Sequence, residues 1–229
     1  MSMKDYHNLY NLSDVLLLVD VFENFTNICT NHYGLDPAWY FSAPGFAWDA
    51  ALKITKVQLE LLSDSDMLLM IKSGIREGIA TMENEFDPTK DSKFISYLDA
   101  NNLYGWAMSK QLPTSGFEWM IDDELNDRKH LSCFLEVDLE YPEDLHDLHN
   151  DYPLALEHVK IGNIEILIPN LNNKTNYVVH YENYLYEILG LKITKIHRGI
   201  KFDESAWLEE YINLNTKLRI EAKQSGNNF

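Results

Sequence analysis

Between Cys133 and Tyr141 the chain reads CFLEVDLEY, with Leu135, Val137, Leu139 and Tyr141 alternating against Glu136, Asp138 and Glu140. An extended strand points successive side chains to opposite faces, so this spacing puts the apolar residues on one side and the acids on the other. The segment therefore demands a sheet with one buried face and one wet face. Further strand-like runs flank it: FISYL (94–98), NIEILIP (163–169), NYVVHY (176–181) and LKITKIHRGIKF (191–202). YENYLYEILG (181–190) reads as a helix between the last two.

The first third has the other periodicity. From Leu9 to His32, Leu18, Phe22, Phe25 and Cys29 recur at helical spacing, and Gly34 is a stop. Asp36-Pro37 reads as a helix start, with the acid at the cap and proline in the first turn. Ser63-Asp64 opens another helix, DMLLMIKSGI, closing near Gly74. LYGWAMSK (103–110) begins a short helix in which Gly105 permits close backbone approach, and a last helix runs from about Glu204 to Lys223. The polar stretch ENEFDPTKDSK (83–93) is the best boundary between the helical part and the strand-rich part. The fold class is α+β, with no internal repeat and no low-complexity segment.

The chain has 229 residues, 45% of them hydrophobic, with 13 Tyr, 10 Phe and 5 Trp. That is enough for one large domain or parts of two, and it is a globular composition. The longest early aliphatic run, VLLLV (15–19), is far too short to span a bilayer. Cys29 and Cys133 match no ligand spacing and suggest no disulfide framework, so a reducing, intracellular setting fits best. The net charge of −17 argues against a basic nucleic-acid surface when read as an average. The bases are concentrated, however, in KITKIHRGIKF (192–202) and KLRIEAK (217–223). The acids crowd DDELND (122–127) and YPEDLHD (141–147).

Three small constellations carry chemistry. Tyr10 and Asp14 stand four apart and share a helix face, a phenol beside a carboxylate as metal-assisted hydrolysis requires. The same spacing also describes a packed tyrosine and a surface aspartate. In LDANNLYG, Asp99 ends an apolar strand next to the carbonyl of Ala100, a hard oxygen corner suited to Mg²⁺, with Tyr104 five residues on to floor a sugar ring. Asp99 would equally serve as a helix cap or an Asx-turn residue. Arg219 and Lys223 point the same way from the last helix, as a triphosphate clamp needs, or simply as a solvated basic face. The DSD at 64–66 reads as a helix cap, Asp138 and Glu140 as the wet side of a strand, and the histidines of HDLHNDYPLALEH (146–158) as surface residues.

Taken together, YNLSDVLLLVDVFENF (10–25), GLDPAWYFSAPGFAWDAAL (34–52) and YLDANNLYGWAMSKQLP (97–113) resemble a family-B DNA polymerase of the protein-primed branch found in viruses, plasmids and transposons. The resemblance covers nearly the whole chain. It implies that Tyr10 and Asp14 belong to the third motif of a 3′–5′ proofreading exonuclease, with Asp14 as metal ligand. It implies that Asp99 is one of two catalytic palm aspartates and that Ala100 offers its carbonyl to the same Mg²⁺. Asn102, Leu103 and Tyr104 would line the nucleotide pocket, Tyr104 excluding a ribose 2′-hydroxyl, and Arg219 and Lys223 would touch the incoming triphosphate. Asn102 stands where serine is common and Gly105 where proline is common.

The implied organisation is the end of an exonuclease domain (1–75), a connector (76–93), a palm with its first motif (94–120), an insertion contacting DNA and terminal protein (121–202) and the start of the fingers (203–229). The implied partners are a DNA primer-template, a dNTP and a terminal protein, with no membrane. The other exonuclease carboxylates, the fingers lysine motif and the palm Asp-x-Asp are expected outside residues 1–229, so the sequence reads as an internal piece that is inactive alone. A DNA- or terminal-protein-binding module derived from a polymerase is the alternative. A nuclease built from Tyr10, Asp14, Asp138 and Glu140 ranks last.

Overall fold

A computed structural model describes residues 2–76, 88–89, 102–127, 131–150, 152–180 and 187–226. The strand expected at 94–98 and most of the helix expected at 181–190 lie outside these residues, as does the boundary stretch apart from 88–89. The described chain is a mixed α+β structure and divides into two compact units.

The first unit draws on residues within 1–58, 102–112 and 206–229. Helix α1 (Met3–Tyr33) starts with a reciprocal cap: the Ser2 hydroxyl accepts from the Asp5 amide, and the Asp5 carboxylate accepts from the Ser2 amide. It stops at Gly34, whose φ of 63° suits glycine and lets its amide reach the Thr30 carbonyl at 2.9 Å. Asp36 caps only a 3₁₀ turn, Pro37–Trp39, and the true helix α2 (Ala43–Thr55) begins at Ser42. The reason is Pro44. A helix running on from Pro37 would place that ring against the carbonyl four residues back and lose a hydrogen bond. At Ser42 the proline falls in the first turn, where its missing N–H costs nothing.

Short helix α4 (Leu103–Met108) and the terminal helix, α7 below (Glu209–Gln224), complete this unit. Its core is Cys29, Phe46 and Ala50, ringed by Tyr33, Leu35, Tyr40 and Tyr211. The Tyr33 hydroxyl donates to Asn215 on the terminal helix at 2.7 Å.

The second unit draws on residues within 59–101 and 113–205. Strands β1 (Leu112–Trp119), β2 (Cys133–Glu140), β5 (Lys174–His180) and β6 (Lys192–Ser205) form a sheet in the order β1-β6-β2-β5, with β2 antiparallel to both β5 and β6. The alternation along β2 is realised residue by residue: Cys133, Leu135, Val137 and Leu139 are buried, and the residues between them are partly exposed. Helix α3 (Ser65–Ser73), capped by Asp64, packs Met67 and Met70 against Val178 and Ile200 of the sheet. Helices α5 (Asp122–Asn126) and α6 (His146–His149) are short. A separate two-stranded ribbon, β3 (Glu157–Ile161) and β4 (Ile164–Ile168), turns at Gly162, φ 63°. β6 runs three residues past Phe202, so α7 starts at Glu209 rather than 204.

Two polar residues are buried here against expectation. His149 is not on the surface: α6 folds over Tyr141, whose hydroxyl lies 2.8 Å from His149 Nδ1. Lys174 is only 2% exposed and is held by Glu157 at 3.3 Å and by Asn170, tying β5 to the foot of the ribbon. Neither burial has a periodic signature. Each results from a chain segment folding back over one side chain.

The sheet sets two expected outcomes. A Cβ at Gly199 would lie 2.6 Å from Met120 Sδ and 2.9 Å from Leu135 Cδ2, so Gly199→Ala should destabilise by about 1–3 kcal/mol in thermal or urea unfolding. The His197 ring, 2.7 Å from Asp138 Oδ1, donates to it and holds the Asp138 carboxyl below its usual range. A depressed carboxyl stabilises above its unfolded pKa, about 4, and that stabilisation is lost as pH falls through the lower folded value. The Tm gap between wild type and His197→Leu should therefore shrink as pH is lowered below about 4.

Candidate functional site

Asn102 adopts left-handed backbone, φ 57° and ψ 37°, and then starts α4 with its carbonyl, which accepts from the Trp106 amide at 2.9 Å. Asparagine tolerates this conformation better than most residues. Its side chain folds over Gly105, where a Cβ would come within 2.5 Å of the Asn102 amide group. Gly105 is thus explained by Asn102. A proline ring at 105 has no room beneath it. Leu103 and Tyr104 project outward at 54% and 84% exposure. Trp106 is also exposed, with Lys110 Nζ 4.6 Å from its ring centroid.

Helix α4 packs against α7 within the same unit. Arg219 and Lys223 stand one turn apart on α7, both exposed. Neither has a carboxylate within 4 Å among the described residues; the ion pair on this helix is Lys217 with Glu221, at 3.8 Å. The cations of β6 are different. Lys192 meets Glu140 at 3.0 Å, His197 meets Asp138, and Arg198 meets Glu136. Lys201 lies 2.7 Å from Glu124 and 3.1 Å from Glu118. The register explains it, since Glu136 faces Arg198, Asp138 faces Lys195 and Glu140 faces Lys192. Among the described residues Lys192, Arg198 and Lys201 of the first basic cluster are therefore paired with carboxylates, whereas in the second Lys217 is paired and Arg219 and Lys223 are not.

Tyr10 and Asp14 share a face of α1, both exposed, on a stretch whose buried residue comes only at Cys29. Asp99 and Ala100 lie outside the described residues. The structure thus brings Asn102, Leu103 and Tyr104 onto a helix in contact with the one carrying Arg219 and Lys223. Among the described residues no group of three or more His, Cys, Asp or Glu is placed to hold a metal ion. Asp64 is committed elsewhere: its carboxylate accepts from Trp119 Nε1 and from the amides of Met67 and Asp66, which hold its carboxyl low. Asp138 and Glu140 are likewise engaged. Among the described residues no helix is long and apolar enough to cross a membrane.

The backbone at Asn102 sets a test of this corner. Asn102→Gly should keep or slightly raise stability, whereas Asn102→Ala should lose about 1 kcal/mol in chemical denaturation, the cost of a Cβ in left-handed backbone.

No curated protein and no solved structure matches the chain. A family does, and it matches almost end to end: DNA polymerase type B, organellar and viral, over residues 2–229. With that match spanning both units, the chain belongs to the organellar and viral type B DNA polymerases.

Proposed function

We propose that this chain contributes the sugar- and triphosphate-contacting part of a template-directed DNA polymerase. The observation that carries the reading is the packing of α4 on α7: exposed Leu103 and Tyr104 on one helix, and on the other two cations without carboxylate partners in a chain of net charge −17. Arg219 and Lys223 attract the polyphosphate of an incoming dNTP. Tyr104, with Asn102 and Leu103 beside it, offers a ring against which a deoxyribose fits and a 2′-hydroxyl clashes.

Asp99 and the carbonyl of Ala100 would hold Mg²⁺ at the polymerising centre, and Asp14, oriented beside Tyr10, would hold it for 3′–5′ proofreading. Bound there, the ion would neutralise phosphate charge during nucleotidyl transfer. The reading also takes a primer-template as the second partner and, from the protein-primed resemblance, a terminal protein contacting the strand-rich segment 121–202. On this reading Asp99 would be one of two palm aspartates that the polymerising centre needs. One carboxylate does not hold a two-metal centre, so the isolated chain binds nucleotide without extending a primer.

Titration with dATP at low salt, read by calorimetry, tests the core of this proposal. The double variant Arg219→Ala/Lys223→Ala should lose at least about tenfold in affinity, since a hydrogen bond to a charged group contributes roughly 1.5–3 kcal/mol. Tyr104→Ala should narrow the preference for dATP over ATP. Unchanged affinity in the double variant would refute the clamp. In a primer-extension assay with Mg²⁺, nucleotide addition that disappears on Asp99→Asn would refute the inactivity of the isolated chain.

A further inference from the structure

We propose that Trp106 and Lys110 form a docking point for a single strand of nucleic acid, the indole stacking on a base and the ammonium meeting a backbone phosphate. The chain turns at the end of α4, where the Lys110 amide reaches the Ala107 carbonyl at 3.1 Å. Lys110 Nζ then stands 4.6 Å from the centroid of the Trp106 ring, a distance at which the ring holds the ammonium. The ring is 59% exposed, so the rest of its surface is open to a ligand. Nucleic-acid bases present flat π faces that stack on such rings whatever their sequence, and each carries a phosphate that a neighbouring cation can meet.

Charge chooses both the place and the occupant. Other cations that lie over rings are already engaged. Arg198, beside Trp119, is paired with Glu136, and Trp119 Nε1 donates to Asp64. Arg76 lies over buried Tyr177 and donates to the Gly74 and Val178 carbonyls. Lys110 is exposed and has no carboxylate within 4 Å among the described residues. Trp39 is more exposed, at 87%, but the turn that carries it is capped by Asp36 and no described cation lies over it. Residues 102–112 contain Lys110 and no Asp or Glu, in a chain of net charge −17. An apolar protein partner would have to desolvate that ammonium, whereas a phosphate pairs with it. At 100° per residue Trp106 lies roughly 160° around α4 from Tyr104, so it faces away from the sugar assigned to that ring. That the strand is a primer or template rests on the polymerase reading above; the stacking and the ion pair do not.

Fluorescence anisotropy of a labelled oligothymidylate of about twelve nucleotides, titrated with the chain at about 25 to about 200 mM salt, tests this. The expected result is binding that weakens as salt rises. Trp106→Ala should lose about 5- to 150-fold in affinity, the range for one stacked base, and Trp106→Phe should keep most of it. Lys110→Ala should flatten the plot of log affinity against log salt by about 0.7, the share of one phosphate contact on a single strand, and Lys110→Arg should not. Both side chains are exposed, so the far-ultraviolet circular dichroism of these variants should match the wild type. A wild-type chain that binds no strand at the lowest salt overturns the proposal. So does binding indifferent to Trp106→Ala, or a salt slope that Lys110→Ala leaves unchanged. Binding of dATP through α7 is read by calorimetry without oligonucleotide, so either idea can fail without the other.

Discussion

Phe46 is the contact on which the helical unit depends. The rings of Tyr40, Tyr33 and Phe25 stand 5.2, 5.7 and 6.3 Å from it, the first two nearly edge-on, so one side chain ties α2 to α1 and to the turn between them. Tyr33 then reaches α7 through Asn215 and the Tyr211 ring. Because aromatic edges pack with directional preference, this cluster sets the position of α7 although none of that helix's residues is fully buried. Arg219 lies one turn beyond Asn215 on the same helix. The free cations of the site are thus placed by a core that contains no charged group of its own.

The electrostatics make sense only when charges are assigned to partners. A net charge of −17 is unpromising for a chain whose family handles nucleic acid and nucleotides. Antiparallel register resolves much of it, because the acids of β2 fall opposite the bases of β6 and each group neutralises the other. Among the cations left without a carboxylate partner in the described residues are Arg219 and Lys223, one turn apart on α7. A short, local clamp needs only two such groups, whereas a duplex-tracking surface needs a field of them.

Much of the architecture was legible where burial follows a period. The nine residues from Cys133 to Tyr141 specified a half-wet strand, and Gly34, Asp64 and Gly74 marked helix ends at their observed places. Reading failed where the deciding contact was distant in sequence. Pro44 overruled the start at Asp36, the strand at Glu157–Ile161 was hidden in a histidine-rich stretch, and Lys174 and His149 were buried by segments folding back on them. For the site, the sequence supplied the residue types at Asn102, Tyr104, Arg219 and Lys223. It offered no sign that α4 and α7 are in contact, or that Asn102 takes the left-handed turn that requires Gly105.

The sequence alone determined the half-wet strand at Cys133–Glu140, the helix ends at Gly34, Asp64 and Gly74 and the resemblance to the family, because periodicity, caps and motif spacing are properties of neighbours along the chain. Tertiary structure decided which charges are free. LKITKIHRGIKF is the more basic string, yet most of its cations are paired with carboxylates, whereas Arg219 and Lys223 of KLRIEAK are exposed on α7 without such a partner among the described residues. That difference comes from strand register and helix packing, which bring together residues some sixty positions apart, such as Glu136 and Arg198.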